Sequence, residues 1–216
     1  MLKVVDRMAN LALWYQTKLP KSLITELRKE TRELFVTPAT VYEDGNPDVT
    51  NEDVRQSKVG WLSTDHWIGG FLWHYITKAN NNNFHYDISH VDNESMQFTQ
   101  YDVGEYYKWH CDWNLGDCYA PQAGTQNHDT DGRVNDFIEK NIEVCRKLSF
   151  SLQMSDETAY DGGDLEFEEV NGDTFSAPKE RGTMIIFDSR LKHRVTPVTR
   201  GRRESLVGWI VGPRWK

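Results

Sequence analysis

Three times this sequence sets a histidine two residues before an aspartate: His85-Tyr-Asp87, His90-Val-Asp92 and His110-Cys-Asp112. On a β-strand successive side chains alternate faces, so the first and third residues of such a triplet point the same way. An imidazole and a carboxylate on one face, joined by a distant second imidazole, make a facial set that leaves other metal positions open. That is the donor set of a non-haem Fe(II) oxygenase. With 7 His and 18 Asp among 216 residues, chance supplies roughly 0.6 such triplets, so the pattern alone chooses nothing. At least two of the three are bystanders. His90 and Asp92 fall in a polar His-Val-Asp-Asn-Glu-Ser stretch that reads as a turn. His85 and Asp87 follow an asparagine tract on a short predicted strand and read as surface polar residues. His110 and Asp112 end an aromatic-rich strand, Tyr101-Asp-Val-Gly-Glu-Tyr-Tyr-Lys-Trp-His-Cys-Asp.

A second anchor lies near the C-terminus, in the stretch KHRVTPVTRGRR at 192–203. His193 sits on one predicted strand, Arg200-Gly201 makes a tight turn, and Arg203 opens the return strand. Antiparallel pairing of those strands brings Arg203 back beside His193. A guanidinium beside an open metal suits a dicarboxylate cosubstrate, because Arg grips a carboxylate with two parallel hydrogen bonds. The same residues also read as a basic surface hairpin, since charged side chains are common on sheet edges.

The elements that position these residues divide the chain. Leu19, Leu23 and Leu27 recur at helical spacing behind Pro20, which predicts a helix from there to about Phe35. A second helix is predicted over 65–79, with Asp65 as its N-cap and Ile68, Leu72, Tyr75, Ile76 and Ala79 on one face. The asparagines 80–83 read as a loop. From Phe84 onward the period falls to two. Strands are predicted at 96–101, 105–111, 147–155, 164–169, 183–188, 193–197 and 203–211, punctuated by Asp-Gly-Gly, Asn-Gly-Asp and Arg-Gly turns. Early helices and many short antiparallel strands predict an α+β chain with a sandwich or jelly-roll core. Residues 114–144 interrupt the strands with a polar, Gly-containing stretch and then a helical pattern over 131–144.

Composition limits the function classes. The formal charge is −8, from 25 Lys plus Arg against 33 Asp plus Glu, which argues against a duplex nucleic-acid binder. The charge is uneven: positions 156–173 hold 8 acids and no Lys or Arg, whereas 189–203 hold 6 Lys or Arg and no acid. The acidic run lacks the Asp-x-Asp-x-Asp-Gly spacing of a calcium loop and reads as a solvated loop and hairpin edge. An aromatic share of 12%, with 8 Trp, excludes a disordered chain. No apolar run approaches the length of a membrane span, and no secretory signal is read at the N-terminus. Cys111, Cys118 and Cys145 form no CxxC pair and read as reduced thiols of a cytoplasmic protein.

Taken together, the tyrosine-rich run ending in His110-Cys-Asp112, the GGDLEF segment at 162–167 and GTMIIFDSRLKHRVTPVTRGRR at 182–203 resemble the Fe(II)- and 2-oxoglutarate-dependent dioxygenases. The resemblance is strongest to the prolyl 4-hydroxylase branch in its small bacterial and phage form. It spans residues 55–213, and HRVTPVTRGRR is its most specific part. It implies a double-stranded β-helix, or jelly roll, with N-terminal helices packed on it. The whole chain would then be a single dioxygenase domain, with 1–53 as an elaboration and 54–213 as the core.

The resemblance also implies roles. Iron falls to His110, Asp112 and His193. Arg203 would bind the distal carboxylate of 2-oxoglutarate, with Tyr101 contacting the same cosubstrate. Ser149, Ser151 and Gln153 would face it from the next strand, Gln153 standing where some relatives carry a tyrosine. Tyr107 and Trp209 would line the substrate side, and Arg146 would reach a peptide. The implied reaction uses Fe(II), 2-oxoglutarate and O2, with ascorbate in support, to hydroxylate a prolyl residue in a peptide or protein, releasing succinate and CO2. The compartment would be the cytoplasm, that of the host for a phage-encoded chain. Two other readings stay open: a related dioxygenase acting on a free amino acid or a nucleic acid, and a non-catalytic jelly-roll binding module. The 114–144 stretch begins just after Asp112 and is placed to act as a lid.

Overall fold

The computed structural model describes residues 14–16, 19–43, 46–113, 118–120, 140–169 and 171–215. Two antiparallel sheets carry the site. The larger contains β1 (Trp14–Gln16), β2 (Thr37–Pro38), β6 (Lys58–Ser63), β7 (His90–Val91), β8 (Ser95–Tyr101), β10 (Val144–Gln153), β14 (Met184–Asp188) and β17 (Arg203–Pro213). Its order is β1-β14-β10-β17-β8-β6-β2, with β7 also paired to β17. The smaller contains β5 (Arg55–Gln56), β9 (Tyr106–His110), β12 (Leu165–Glu168), β13 (Thr174–Ser176) and β15 (His193–Val195), in the order β13-β12-β15-β9-β5. Two ribbons complete the strands: β3 (Val41–Glu43) with β4 (Asn46–Val49), and β11 (Tyr160–Gly162) with β16 (Val198–Gly201). The jelly-roll expectation holds, since the chain passes repeatedly between two facing antiparallel sheets.

The register of the larger sheet explains how it serves two layers. Residues directly opposed on neighbouring strands share a face. Phe150 and Leu152 on β10 share one face with Ile186 and Met184 on β14 and, on β17, Leu206 is paired with both Leu152 and Phe98 of β8. That face is apolar and buried under the helices α1 (Lys21–Thr31) and α2 (Trp67–Ala79), through Ile24, Leu27, Ile68, Leu72 and Ile76. Each such side chain contributes about 1.5–3 kcal/mol through removal from water. The opposite face carries Thr99, Tyr101, Ser149, Ser151, Gln153, Arg203, Ser205, Val207 and Trp209. It is strongly polar, yet nearly all of it is buried between the sheets. A second apolar cluster, including Ile185, Phe187, Leu165, Phe167 and Val195, fills the rest of that space.

Several local expectations are corrected. The first helix ends at Thr31 rather than Phe35, which lies 87% exposed beyond a turn and so has nothing to hold it in the helix. The second starts at Trp67, and its N-cap is His66, whose ring accepts from the Ile68 N–H, not Asp65. The asparagine tract is no loop. Asn80–Phe84 form a π-helical turn that continues α2 and closes at His85 with φ 56°. Asn80 is buried, and its side-chain amide bonds both the N–H and the carbonyl of Tyr86 at 2.9 Å. That turn removes the predicted strand at His85 and Asp87. The predicted hairpin between His193 and Arg203 is also absent. β15 pairs with β12 and β9, whereas β17 pairs with β8 and β10, and β16 intervenes as the partner of β11. His193 and Arg203 therefore stand on facing sheets. Most of the proposed lid, 114–117 and 121–139, lies outside the described residues, as does most of its helical pattern. Among the described residues, no helix is long and apolar enough to cross a membrane.

Candidate active site

The mouth of the sandwich is built from the smaller sheet. His110 closes β9 and His193 opens β15, and the register sets them directly opposite each other. Their ring centres lie 4.2 Å apart. Asp112 lies past the end of β9, so the ladder does not hold it. Its backbone N–H, and that of Trp113, donate instead to the Ser189 carbonyl at 2.9 and 3.1 Å, which pins the residue after the strand has ended. His110 Nε2 stands 3.6 Å from Asp112 Oδ1, and His193 Nε2 stands 3.5 Å from Asp112 Oδ2. One ligand atom from each residue falls within 4.8 Å of the others.

The tautomers follow from the outer partners. His110 Nδ1 donates to the Lys108 carbonyl and His193 Nδ1 to the Leu191 carbonyl, both at 2.8 Å. A carbonyl can only accept, so each Nδ1 carries a proton and each Nε2 faces the shared space beside Asp112. Burial, with His193 alongside, pushes the His110 imidazole down to about 3 and keeps it neutral. Burial alone would raise the Asp112 carboxyl. The His193 and His110 rings, the Arg146 guanidinium and the Ser149 hydroxyl outweigh it and hold Asp112 below the usual carboxylate range. Two imidazoles and one carboxylate converging in this way form a donor set suited to a divalent transition metal.

Arg203 marks the second half of the site, on the polar inner face of the larger sheet. It is 2% exposed, and its Nη1 donates to Ser205 Oγ at 3.2 Å. Its Nε has no hydrogen-bond partner, and neither do Ser151 Oγ and Gln153 Oε1 on the neighbouring β10. Among the described residues, no acid forms an ion pair with it. A buried guanidinium in that condition costs several kcal/mol unless an anion joins it. Gly163, whose φ is +59°, packs close against the Arg203 stem, and an added Cβ there would stand 3.1 Å from Arg203 Cδ and 3.0 Å from Val198 Cγ2. Tyr101 lies across the ladder from Arg203 and closes the inner end. Of these orphaned atoms, the Arg203 Nε–H and the Ser151 hydroxyl can donate to a dicarboxylate entering between the sheets, whereas Gln153 Oε1 can only accept.

The remaining expected residues fall around the mouth. Tyr107 stacks on His110, with centroids 3.6 Å apart and 16° between planes, and the Arg55 guanidinium lies 4.7 Å from the same ring. Both its faces are thus engaged, and it offers its hydroxyl. Burial pushes that phenol up to about 12, so it stays a donor. Trp209 pairs with Ser149 and carries the Arg146 guanidinium 4.1 Å above its ring. Ser149 shares a 2.9 Å hydrogen bond with Ser189, which places it on the metal side and not beside Arg203. Arg146 is committed to Asp92 through Nε at 2.8 Å, and its Nη1 reaches the Asp112 carbonyl at 3.5 Å.

Sequence reasoning passed over four contributors. Ser205 was findable, because it shares the face of Arg203 by a period of two. Asp92, set aside as a bystander triplet, is a buried anchor for Arg146 that also accepts from the Tyr119 hydroxyl. Arg55 and Ser189 reach the site only through tertiary structure, and no local signal marks them.

Residues 96–211, more than half of the chain, match the family model of the 2OG-Fe(II) oxygenase superfamily. This chain belongs to that superfamily. Its matched segment holds both histidines, the aspartate and the arginine just described. A PKHD-type hydroxylase of Hyphomonas neptunium is 51% identical over 63 residues, which are 29% of this chain and 28% of that protein. The aligned stretch is thus under a third of the curated relative's length. Among solved structures, a prolyl-4-hydroxylase of Pseudomonas putida superposes with a TM-score of 0.65 at 21% identity, covering 98% of each chain. A Trichoplax adhaerens prolyl hydroxylase, solved with a hypoxia-inducible-factor peptide fragment, gives 0.66 at 15% identity, covering 96% of this chain and 86% of that one. These structural likenesses show the double-stranded β-helix fold, and membership of the superfamily implies Fe(II), 2-oxoglutarate and O2.

Proposed function

We propose that this 2OG-Fe(II) oxygenase hydroxylates a prolyl residue in a peptide or protein and releases succinate and CO2, with ascorbate as a supporting reductant. One observation carries the cosubstrate part of the reading. A His110–Asp112–His193 triangle stands on the smaller sheet, and a buried arginine with an unsatisfied Nε and, among the described residues, no acid partner stands on the facing inner wall. Iron would be held by His110, Asp112 and His193. Arg203, helped by Ser205, would fix the far carboxylate of 2-oxoglutarate, with Ser151, Gln153 and Tyr101 beside it. The metal and cosubstrate, when bound, supply the oxidising power.

The chain's own residues orient and exclude. The Lys108 and Leu191 carbonyls hold the two imidazoles in the metal-binding tautomer. The packed inner wall keeps bulk water from the carboxylate end, which strengthens its ion pair with Arg203. At the mouth, Trp209 with Arg146 and the Tyr107 hydroxyl with Arg55 form an aromatic and cationic rim. Such a rim suits a proline ring flanked by peptide carbonyls, which accept from guanidinium and phenol groups. The peptide-bound neighbour supports a polypeptide substrate.

The test is succinate release from Fe(II), 2-oxoglutarate and O2, screened over proline-containing peptides and free amino acids, with the added oxygen located by fragmentation mass spectrometry. The expected result is turnover stimulated by a peptide and a one-oxygen mass gain on its proline. Stimulation by a free amino acid or a nucleic acid alone would overturn the substrate assignment. No succinate from iron-loaded protein under any condition would favour a binding module.

A further inference from the structure

The described residues hold a second pair of reactive groups that the oxygenase chemistry does not use. Tyr119 and Val144 form an isolated antiparallel bridge and exchange both hydrogen bonds, N–H to carbonyl at 3.0 Å one way and 2.9 Å the other. In an antiparallel ladder the residues flanking a hydrogen-bonded pair oppose each other as a non-hydrogen-bonded pair, with Cα atoms about 4.5 Å apart and side chains close. The residue before Tyr119 is Cys118 and the residue after Val144 is Cys145. Cα separations of about 4.4–6.8 Å accommodate a disulfide, so this placement brings two cysteines into bonding range.

Their environments divide the labour. Cys145 is buried, whereas Cys118 is partly exposed. Cys118 is the thiol a small oxidant reaches, and Cys145 is held against it. The bridge also sits at a working corner of the site. The Tyr119 hydroxyl donates to Asp92, Asp92 holds Arg146, and Arg146 reaches the Asp112 carbonyl.

We propose that Cys118 and Cys145 form a reversible cross-strand disulfide when the protein meets a peroxide. The Cys118 thiolate attacks the peroxide O–O bond, giving a sulfenic acid and releasing water. The Cys145 thiolate then attacks that sulfur and expels a second water. Two thiols and one hydrogen peroxide become one disulfide and two waters. The bond fastens the chain just beyond Asp112 to the edge of β10, and it does not depend on the substrate assigned above.

The experiment uses the full chain carrying Cys111→Ser, because trypsin leaves Cys111 and Cys118 together on peptide 109–133 and Cys145 alone on 141–146. Protein kept in chelator is treated with hydrogen peroxide, alkylated and digested without reductant. The expected product joins 109–133 to 141–146 within one chain, loses two hydrogens in intact mass, reverts with dithiothreitol and is absent from a further Cys145→Ser variant. Three outcomes overturn the proposal: both thiols alkylated after treatment, Cys118 driven to a sulfinic acid with Cys145 still reduced, or a link between two chains on a non-reducing gel. The Cys111→Ser protein must keep the wild-type circular dichroism spectrum, and if it does not, wild-type protein cleaved additionally between Cys111 and Cys118 by an Asp-specific protease gives the same readout.

Discussion

Arg203 lies directly opposite Tyr101 across the β17–β8 ladder, with its guanidinium carbon 5.5 Å from the centre of the tyrosine ring. The aromatic ring closes one side, the Ser205 hydroxyl takes one N–H, and Nε is left with no partner. Charge-assisted hydrogen bonds contribute about 1.5–3 kcal/mol each. Arg203→Met should therefore weaken 2-oxoglutarate binding by about tenfold to a hundredfold while metal affinity stays near wild type. Anaerobic titration of Fe(II)-loaded protein with 2-oxoglutarate checks this. The same variant should be no less stable than wild type without cosubstrate, because it removes a buried charge that lacks an anion. Denaturant midpoints of the two metal-free proteins test that sign, and a large loss of stability would show that Arg203 is satisfied by something else.

Gly163 packs against the aliphatic stem of the same arginine. At φ +59° an alanine there meets αL strain of about 1–2 kcal/mol, and its methyl would press on Arg203 Cδ and Val198 Cγ2. Gly163→Ala should lower stability by roughly that amount and raise the 2-oxoglutarate requirement, with no change in metal stoichiometry. Equal effects of Gly163→Ala and Gly172→Ala on the cosubstrate would deny the steric link, since an added Cβ at Gly172 meets nothing within 4 Å.

The division between what was legible and what was not has a physical basis. The strands themselves were legible, because alternation is a local property, whereas the burial of the polar face of β8, β10 and β17 comes from the facing sheet and is not. Type and spacing offered His110, Asp112, His193 and Arg203 only as candidates beside two other His-x-Asp triplets, the family resemblance gave them their roles, and the structure gathers the first three together. The route by which Arg203 reaches the site was misread. A hairpin was the shortest connection from His193, but a Pro197-containing stretch and the β11 partner divert the chain into the other sheet. Asp92 was dismissed because its neighbours looked like a turn, and a turn residue can still be buried when a distant arginine meets it. Arg55 and Ser189 lie far in sequence from the groups they touch, and no periodicity reports such contacts.

Asp92 and Arg146 form the support beneath the ligand loop. Asp92 is 3% exposed, takes the Arg146 Nε and is approached by the Tyr119 hydroxyl as well. Removing Arg146 strands the buried Asp92 charge, at a cost of about 3–5 kcal/mol, whereas removing Asp92 leaves a guanidinium that is 30% exposed and partly solvated. Arg146→Met should be strongly destabilising, Asp92→Asn less so, and the double variant should recover part of the Arg146→Met loss. A double-mutant cycle from urea melts measures this, and simple additivity would show that the pair is not coupled.

His110 sets the pH dependence of the metal-free protein. Its folded value is pushed down to about 3 by burial and by His193, against an ordinary value of 6.5 in the unfolded chain. The unfolded state therefore takes up the proton first. Its contribution to stability is fully present above about pH 6.5 and is lost progressively as the pH falls toward about 3. Asp112, held below its usual range, acts in the same direction but only below its ordinary 3.8. Melting temperatures of metal-free wild type should fall on acidification across this window. His110→Gln, which keeps a polar ring-sized side chain without a titrating group, should flatten the upper part of the slope, between about pH 6.5 and 4. A wild-type profile flat from pH 7 to 4 would mean that the His110 ring takes up its proton as readily in the folded protein as in the unfolded chain, and the depression of its titration by burial would then be wrong.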